Sequence, residues 1–279
     1  RGFLSKIVER ILDFSLSNSI VVDCTSSDEI YPYYKDFLDN SIAVVTPNKK
    51  ANTCEYMFFN TLCNYKNYKY ETTVGAGLPV IKTIKNLINS GDTIIKIEAV
   101  LSGTLSYIFN TFMDDTSKSF YDVVKDAEKL GYTEPNPKDD LTGMDVVRKI
   151  LIISRLCKSN LEIDDVFNNQ FLSNSCLDSD TKQEFYKNLE YFSKDMDDTR
   201  KFAIENNIKP KHIAVYENDQ ARVQLQGIKN DSPFYNLKGS DNMIIIKTKY
   251  YFDNPIVIRG PGAGAKVTAS GVIGDIADI

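Results

Sequence analysis

Two short apolar strands on either side of a helical segment constrain the fold of this 279-residue chain more than any other feature. Residues Ile20–Val22 and Ile42–Val45 are apolar runs that predict buried strands, and residues 28–40 between them predict a helix. Strand, helix and strand joined by short turns predict a βαβ unit in a parallel sheet. Ligands bind such sheets at the carboxyl ends of the strands. Four polar residues follow those ends and are candidates for a binding site: Thr25, Ser26, Asn48 and Lys49.

The composition excludes several classes of protein. Hydrophobic residues make up 42% of the chain and charged residues 25%, as in folded globular proteins. The net charge of −5 comes without a long run of one sign, so no extended nucleic-acid surface is expected. The five cysteines lack CxxC spacing and there is one histidine, which argues against a structural zinc site and a disulfide framework. We expect an intracellular protein without a membrane segment or signal peptide.

Beyond the first two strands, hydrophobic periodicity predicts further helices and strands. The predicted helices are residues 53–67, 80–91, 104–113, 119–131, 144–157 and 182–198, with a last one after the glycine-rich turn at residues 260–264. The predicted strands are residues 69–74, 94–100, 212–216, 221–228, 242–251 and 255–260. Between residues 161 and 211 only helices are predicted. The chain is therefore expected to be an α/β protein.

Two glycine clusters lie between a predicted strand and a predicted helix. They are Gly75-Ala76-Gly77 and Gly262-Ala263-Gly264. Backbone N–H groups at such a helix start can hold phosphate oxygens. A dinucleotide fingerprint, however, needs Gly or Ala three residues after the second glycine, where this chain has Val80 and Val267. A tight turn for close packing is the alternative interpretation, and it is favoured for the first cluster.

The stretch GYTEPNPKDDLTGMDVVRKI, residues 131–150, concentrates charges around an apolar helix. Asp145 and Lys149 are four residues apart and therefore share one helical face. Because the helix is apolar nearly all round, it should be buried, and charges within it must be paired. Three further carboxylates precede it and would suit a substrate ammonium group: Glu134, Asp139 and Asp140. A substrate site and a structural ion-pair network both remain open on this pattern.

Lys49 and Lys50 follow the second strand at a predicted helix start. The positive end of a helix dipole disfavours cations at that position. A solvated pair is one interpretation, and a lysine held against this preference to face a ligand is the other.

Six segments in this order resemble homoserine dehydrogenase: DCTSS, TPNKKA, VGAGLP, LSGTLSYIFN, GYTEPNPKDDLTGMDVVRK and GAGAKVTASGVIGD. The fifth is long and highly specific. The resemblance covers nearly the whole chain and is weakest between residues 160 and 240. Within the family, the segments are similar in particular to the dehydrogenase region of bifunctional aspartokinase–homoserine dehydrogenases, and monofunctional fungal-type enzymes are also near.

The resemblance implies a Rossmann-type nucleotide-binding domain and an α+β substrate and dimerisation domain. Residues 1–72 would be the C-terminal half of the first domain, residues 73–258 the second, and residues 259–279 a helix returning to the first. The first strand and GxGxxG loop of the family would lie upstream of Arg1. On that expectation the nucleotide-binding domain is incomplete, and the activity of this polypeptide alone is in question.

The resemblance also implies a reaction, the interconversion of L-homoserine and L-aspartate 4-semialdehyde with NADP or NAD, in threonine and methionine biosynthesis. A homodimer or higher homo-oligomer is expected, without nucleic-acid or membrane partners. The expected compartment is the cytoplasm, or a plastid if a eukaryotic chain carries an upstream transit peptide.

Roles for individual residues follow from the same resemblance. Lys149 matches the acid/base lysine, and Lys49 matches a second lysine near cofactor and substrate. The substrate-binding residues would be Glu134, Asp140 and Asp145, the last supporting Lys149. The cofactor-binding residues would be Thr25, Ser26, Lys49, Gly131, Glu134 and Gly264. A sodium ion would be held by Glu71, Val74, Ala76 and Leu78. Lys138 and Asp139 are expected at the loop surface, and Arg148 has no role.

Two alternatives remain beside this assignment. One is a non-catalytic oligomerisation or regulatory module that retains the site by descent. The other is a different amino-acid semialdehyde reductase on a similar scaffold. The complete set of charged site residues argues against the first, and the long fifth segment argues against the second.

Overall fold

The computed structural model describes residues 2–14, 16 and 18–279, which form two β-sheets flanked by helices. The first sheet consists of β1 (Ile20–Val22), β2 (Ala43–Val45) and β3 (Tyr68–Lys69). Both strand pairs are parallel, and β2 lies between β1 and β3. The helices in this part of the chain are α1 (Gly2–Phe14), α2 (Tyr34–Asp39), α3 (Lys50–Thr53) and α4 (Tyr56–Cys63).

The second sheet has six strands in the order β5-β7-β6-β4-β8-β9. They are β4 (Ile94–Val100), β5 (Phe167–Asn169), β6 (Lys209–Glu217), β7 (Gln220–Ile228), β8 (Asp241–Thr248) and β9 (Ile256–Pro261). Neighbouring strands are antiparallel except β5 and β7, which run parallel. The remaining helices are α5 (Val80–Asn89), α6 (Gly103–Asp114), α7 (Phe120–Lys129), α8 (Pro137–Leu141), α9 (Met144–Leu156), α10 (Asn174–Leu177), α11 (Lys182–Glu205) and α12 (Ala265–Ala277).

The register of β1 and β2 confirms the predicted βαβ unit. Val21 is paired with Val44 in parallel, and α2 connects the two strands. All of β2 is buried, but Val22 in β1 is 41% exposed, so the prediction that β1 is buried is wrong. Among the described residues, β1 lies at the edge of the sheet and pairs with β2 alone. Its outer side is therefore not covered by a neighbouring strand.

The main hydrophobic core lies between one face of the six-stranded sheet and helices α6, α7, α9 and α11. Phe112 and Phe120 are fully buried there and pack edge to face, with ring centroids 5.3 Å apart. The same cluster continues into the parallel sheet through Val44, so the two sheets share a core. On the opposite face of the six-stranded sheet, Ile213 and Val215 belong to a smaller cluster. Because successive side chains of a strand point to opposite faces of the sheet, β6 is buried on both faces.

Most predicted elements are confirmed, and the differences have local causes. The strand predicted over residues 94–100 is β4, and the helices predicted over residues 80–91, 104–113, 119–131 and 144–157 are α5, α6, α7 and α9. The helix predicted from residue 28 begins later, because a 3₁₀ turn with Pro32 precedes α2. The prediction of helices alone between residues 161 and 211 missed β5, whose three residues are too short to show a period.

The prediction of a strand over residues 69–74 is wrong beyond its first residue, because β3 ends at Lys69. Residues Glu71–Thr73 form a 3₁₀ turn instead. The Glu71 carboxylate accepts hydrogen bonds of 2.8 Å from the backbone N–H groups of Ile81 and Lys82. A carboxylate at a helix N-terminus satisfies unpaired N–H groups and complements the helix dipole. Capping of α5, rather than strand pairing, therefore fixes the chain at Glu71.

Helix α12 returns to the part of the molecule that contains the parallel sheet of β1, β2 and β3, and it packs against the 3₁₀ turn at Glu71–Thr73. Its Asp275 side chain accepts a hydrogen bond of 2.9 Å from the backbone N–H of Glu71. The approach is close, since a Cβ atom at Gly77 would lie 2.6 Å from the carbonyl oxygen of Val267. A side chain at Gly77 would push the helix away. This contact supports the close-packing interpretation of the first glycine cluster.

Candidate active site

A cleft of about 750 Å³ opens beside the carboxyl ends of β1 and β2 and reaches the start of α9. This volume lies in the usual range for sites that bind small molecules and cofactors. The residues predicted to act in catalysis, substrate binding and cofactor binding all line it: Thr25, Ser26, Lys49, Gly131, Glu134, Asp140, Asp145, Lys149 and Gly264. The structure therefore brings together residues from opposite ends of the chain.

Asp145 lines the cleft and bridges the two lysines. Its Oδ2 atom lies 2.8 Å from Lys149 Nζ, and its Oδ1 atom lies 3.2 Å from Lys49 Nζ. Burial alone would raise the pKa of Asp145, but the ammonium groups of Lys149 and Lys49 hold that pKa well below its usual range. The predicted pair of residues four apart on one helical face is thus present, and Lys49 is a third member.

Lys149 is the most buried of the three, as the apolar sequence of α9 predicted. The residue is 8% exposed, and its Nζ atom donates a hydrogen bond of 2.7 Å to the carbonyl oxygen of Leu101. An ammonium group has three N–H donors. Asp145 and Leu101 take two of them, and no contact within the described part of the chain takes the third. Because Lys149 lines the cleft, that donor is available to a ligand.

Lys49 differs electrostatically from a surface lysine. Burial lowers its pKa, the nearby Lys149 ammonium lowers it further, and Asp145 acts in the opposite direction. The net shift is downward, so Lys49 gives up its proton more readily than a free lysine. Lys49 lines the cleft and is partly buried, so it is not a fully solvated surface lysine.

An acidic loop, residues 131–140, also lines the cleft and runs into α8. Asp140 Oδ2 accepts a hydrogen bond of 2.7 Å from the backbone N–H of Glu134. Burial raises the pKa of Asp140, and this N–H bond opposes the shift. Tyr132, in the same loop, stacks on Tyr107 with ring centroids 4.2 Å apart, and its carbonyl oxygen accepts a hydrogen bond from Thr104. These contacts hold the exposed Glu134 side chain at the mouth of the cleft.

The two residues expected at the loop surface behave differently from each other. Asp139 is exposed, but it lines the cleft. Lys138 is not a free surface residue, because its Nζ atom donates a hydrogen bond of 2.7 Å to the carbonyl oxygen of Ser179. That bond ties the acidic loop to the segment before α11, a contact that sequence alone could not reveal.

A buried network underlies the strand ends. Asp23 is 3% exposed, and its Oδ1 atom accepts a hydrogen bond of 2.8 Å from the backbone N–H of Thr25. Its Oδ2 atom accepts from the Tyr34 hydroxyl at 2.5 Å and from the Asn48 amide at 3.2 Å. Burial and the hydrogen bond to Asp23 raise the pKa of Tyr34 far above its usual value, so Tyr34 remains a donor. The network fixes the turn that carries Thr25 and Ser26.

Several further polar residues line the cleft without having been predicted: Ser102, Thr104, Arg148 and Ser240. Ser102 and Thr104 follow the end of β4, so the strand-end rule that identified Thr25 could have identified them. Arg148 had only its position beside Lys149 as a signal. Ser240 had none, since it reaches the cleft through the pairing of β8 with β4.

The predicted sodium ligands are mostly outside the cleft. Only Ala76 lines it, whereas Glu71, Val74 and Leu78 do not. Burial raises the pKa of Glu71 to about 7, although the N–H groups of Lys82 and Ile81 oppose the shift. Within the described ranges there is no cluster of three or more histidine, cysteine, aspartate or glutamate residues suited to a metal ion.

Two family models together match most of the chain. The family model described as "Homoserine dehydrogenase" matches residues 79–277, and the model described as "Homoserine dehydrogenase, NAD binding domain" matches residues 4–72. The homoserine dehydrogenase of Saccharomyces cerevisiae is 44% identical over 270 residues, which cover 93% of this chain and 75% of that protein.

A second relative is much longer than this chain. The chloroplastic bifunctional aspartokinase/homoserine dehydrogenase 1 of Zea mays is 42% identical over 266 residues, which cover 93% of this chain but 29% of the maize protein. A Candida auris protein, whose crystal structure is described as one of unknown function, is 35% identical with a TM-score of 0.91; the match covers 99% of this chain and 80% of that one. The chain belongs to the homoserine dehydrogenase family.

Proposed function

We propose that the protein interconverts L-homoserine and L-aspartate 4-semialdehyde with NADP or NAD, a step toward threonine and methionine. The observation that carries this proposal is the bridge from Asp145 to Lys149 and Lys49, beside the carboxyl ends of parallel strands. Such strand ends are where α/β proteins bind nucleotides. A buried lysine with a free donor is suited to proton transfer at a substrate oxygen. The family match favours this function over a non-catalytic module.

The proposed chemistry joins a hydride and a proton to one carbonyl group. Bound NADPH or NADH would supply the hydride to C4 of the semialdehyde. Lys149 would donate a proton from Nζ to the aldehyde oxygen, which gives the alcohol and leaves a neutral amine. Asp145 would hold Lys149 in the orientation for this transfer. Lys49, whose pKa is lowered, would return a proton to the site. In the reverse direction, Lys149 would accept the hydroxyl proton.

The remaining residues of the cleft would position the two ligands. We propose that Glu134 and Asp140 bind the substrate ammonium group, because opposite charges attract strongly in a partly enclosed cleft. The cofactor contacts would come from Thr25, Ser26, Lys49, Gly131, Glu134 and Gly264. Gly264 has φ of 122°, which a residue with a side chain rarely adopts. That conformation lets the backbone approach a ligand at the start of α12.

The wider organisation is proposed on the same basis. Residues 1–72 would form the nucleotide-binding part, residues 73–258 the substrate and dimerisation part, and residues 259–279 the returning helix. The two sheets and the packing of α12 on the 3₁₀ turn support this division. From the family resemblance, we also propose a homodimer or higher homo-oligomer that is located in the cytoplasm or a plastid. No helix of the described residues combines the length and apolarity needed to cross a membrane.

Sodium binding by Glu71, Val74, Ala76 and Leu78 is a further part of the proposal. Carboxylate and carbonyl oxygens suit a hard cation. A bound cation would favour ionised Glu71, whose pKa burial raises to about 7. Calorimetric titration with sodium, with potassium as the comparison, should give binding heat that Glu71→Gln abolishes. Equal heats in both proteins would exclude Glu71 as a ligand.

The direct test is an assay of the full-length protein with L-aspartate 4-semialdehyde. Oxidation of NADPH or NADH should follow substrate concentration and yield homoserine, identified by mass spectrometry. Other amino-acid semialdehydes serve as comparison substrates, and a preference for one of them would identify the second alternative. Complete inactivity in folded protein that binds cofactor would favour the non-catalytic module.

A further inference from the structure

The carbonyl oxygen of Leu101 is shared by two buried side chains. Lys149 Nζ donates to it at 2.7 Å, and Asn242 Nδ2 donates to it at 3.2 Å. Asn242 lies in β8, where its neighbour Met243 pairs with Val100 of β4. That register carries the Asn242 amide directly to the residue that follows β4. The positions of both donors are therefore fixed by strand pairing and helix packing, and not by a flexible loop.

Asn242 is fully buried, with 0% exposure, yet only half of its amide is used. Its Oδ1 atom is buried without a hydrogen-bond partner among the described residues. The orientation of the amide follows from the acceptor, because an oxygen placed against the Leu101 carbonyl would be repelled. Burying a polar group with one unpaired atom is unfavourable. An apolar side chain would fill the same space without that cost, so the Nδ2 bond to Leu101 is the feature that distinguishes asparagine here.

The glycine turn that lines the cleft is built around the same amide. A Cβ atom at Gly262 would lie 1.8 Å from Asn242 Nδ2 and 2.0 Å from Asn242 Cγ. Asn242 also pairs with Gly260 across β8 and β9. The turn that leads to Gly264 therefore rests directly on the Asn242 side chain. The contact is a close-packing role for the second glycine cluster, which was the alternative interpretation of its sequence pattern.

We infer that Asn242 is a positioning residue for Lys149. By holding the Leu101 carbonyl, Asn242 fixes the direction of one N–H bond of the Lys149 ammonium group. Another N–H bond of that group then points toward the substrate oxygen. By supporting Gly262, Asn242 fixes the distance from that lysine to the cofactor side of the cleft. The inference rests on the proposed function, in which Lys149 transfers the proton.

The test compares Asn242→Leu with the wild type in the full-length protein. Leucine has the same branching and the same number of side-chain heavy atoms but cannot donate to Leu101. We expect kcat for semialdehyde reduction to fall about tenfold or more, with KM changed less than about threefold, because the interaction lost acts in the transition state. The pH profile of kcat should also move. An unchanged kcat and pH profile in an active wild type would overturn the inference and leave the proposed function intact.

Thr248→Val is the matched control. Thr248 is also fully buried in β8, and its hydroxyl bonds to Asp92 at the far end of the strand. This variant also removes a buried side-chain hydrogen bond of β8 but should keep kcat within about twofold, since a distant bond does not act on the transition state. An equal loss of kcat in both variants would show a general structural effect. If Asn242→Leu does not fold, Asn242→Ala removes the same donor without crowding Gly262.

A second readout separates this inference from the proposed function. Trace acetylation of Lys149 in the free protein, followed by mass spectrometry, reports the environment of its amine without turnover. Asn242→Leu should change the acetylation rate of Lys149 several-fold relative to exposed lysines, because amine reactivity depends on protonation and access. Thr248→Val should not. If the wild type proves inactive, an unchanged rate in Asn242→Leu still rejects the positioning of Lys149 by Asn242.

Discussion

Lys49 Nζ lies 3.2 Å from Asp145 Oδ1 and joins the parallel-sheet part of the molecule to the helix that carries Lys149. Lys49 precedes α3, whereas Asp145 lies in the first turn of α9. The contact places a carboxylate between two ammonium groups that would otherwise repel each other. It also sets the distance between the strand ends, where a nucleotide would bind, and the proposed proton donor.

Replacing Lys149 by alanine removes the proposed proton donor and should leave the strand ends intact. We expect kcat to fall by about two to four orders of magnitude, the usual contribution of general acid–base catalysis. The Kd for NADPH or NADH, measured by calorimetry, should change little. Lys129→Ala is the control, because Lys129 has 74% of its side chain exposed. Near-normal turnover in Lys149→Ala would remove this residue from its role.

Replacing Asp145 by asparagine should lower both activity and stability at neutral pH. The folded-state pKa of Asp145 is depressed, so its contribution to stability is present above the unfolded value near 3.8 and is lost as pH falls below it. The difference in Tm between wild type and Asp145→Asn should therefore be largest near pH 7 and shrink below about pH 4. We expect kcat to fall about a hundredfold, since Lys149 loses its orienting partner. A Tm difference independent of pH would contradict the ionic explanation.

His212 should make the protein less stable in mild acid. Burial lowers the pKa of this single histidine to about 4, so the unfolded chain binds a proton at pH 5 that the folded chain does not. Stability is then lost as pH falls from about 6.5, by about 2 kcal/mol between pH 7 and pH 5. Urea unfolding at both pH values should show this loss in the wild type. His212→Phe should not show the part of this stability loss that comes from histidine protonation. Identical pH dependence of stability in both proteins would refute the prediction.

Gly143 should tolerate alanine less well than another glycine with a similar backbone. Gly143 has φ of 69°, and a Cβ atom there would lie 2.9 Å from the His212 ring. Gly91 has φ of 85°, but its Cβ position is open. Gly91→Ala should cost about 1 kcal/mol from backbone strain alone. Gly143→Ala should cost about 1–3 kcal/mol more, because it also overpacks a buried site. Equal losses in urea unfolding would mean that the ring moves aside freely.

Local features of the protein could be predicted from the amino-acid sequence. Hydrophobic periodicity predicted β4 and the main helices, and the apolar residues of α9 required a buried and paired Lys149. The position of Asp145 one helical turn before Lys149 predicted their contact. Because these features depend on neighbours within a few residues, composition and spacing were sufficient.

Contacts between residues far apart in the chain could not be predicted and depend on how the elements pack. The bridge from Asp145 to Lys49, the bond from Asn242 to Leu101 and the bond from Lys138 to Ser179 join segments that have no periodic relation in sequence. The end of β3 was mispredicted for a related reason, since capping by Glu71 overrides strand propensity. Such contacts form when a shared core brings elements together, so their geometry depends on packing that no local pattern encodes.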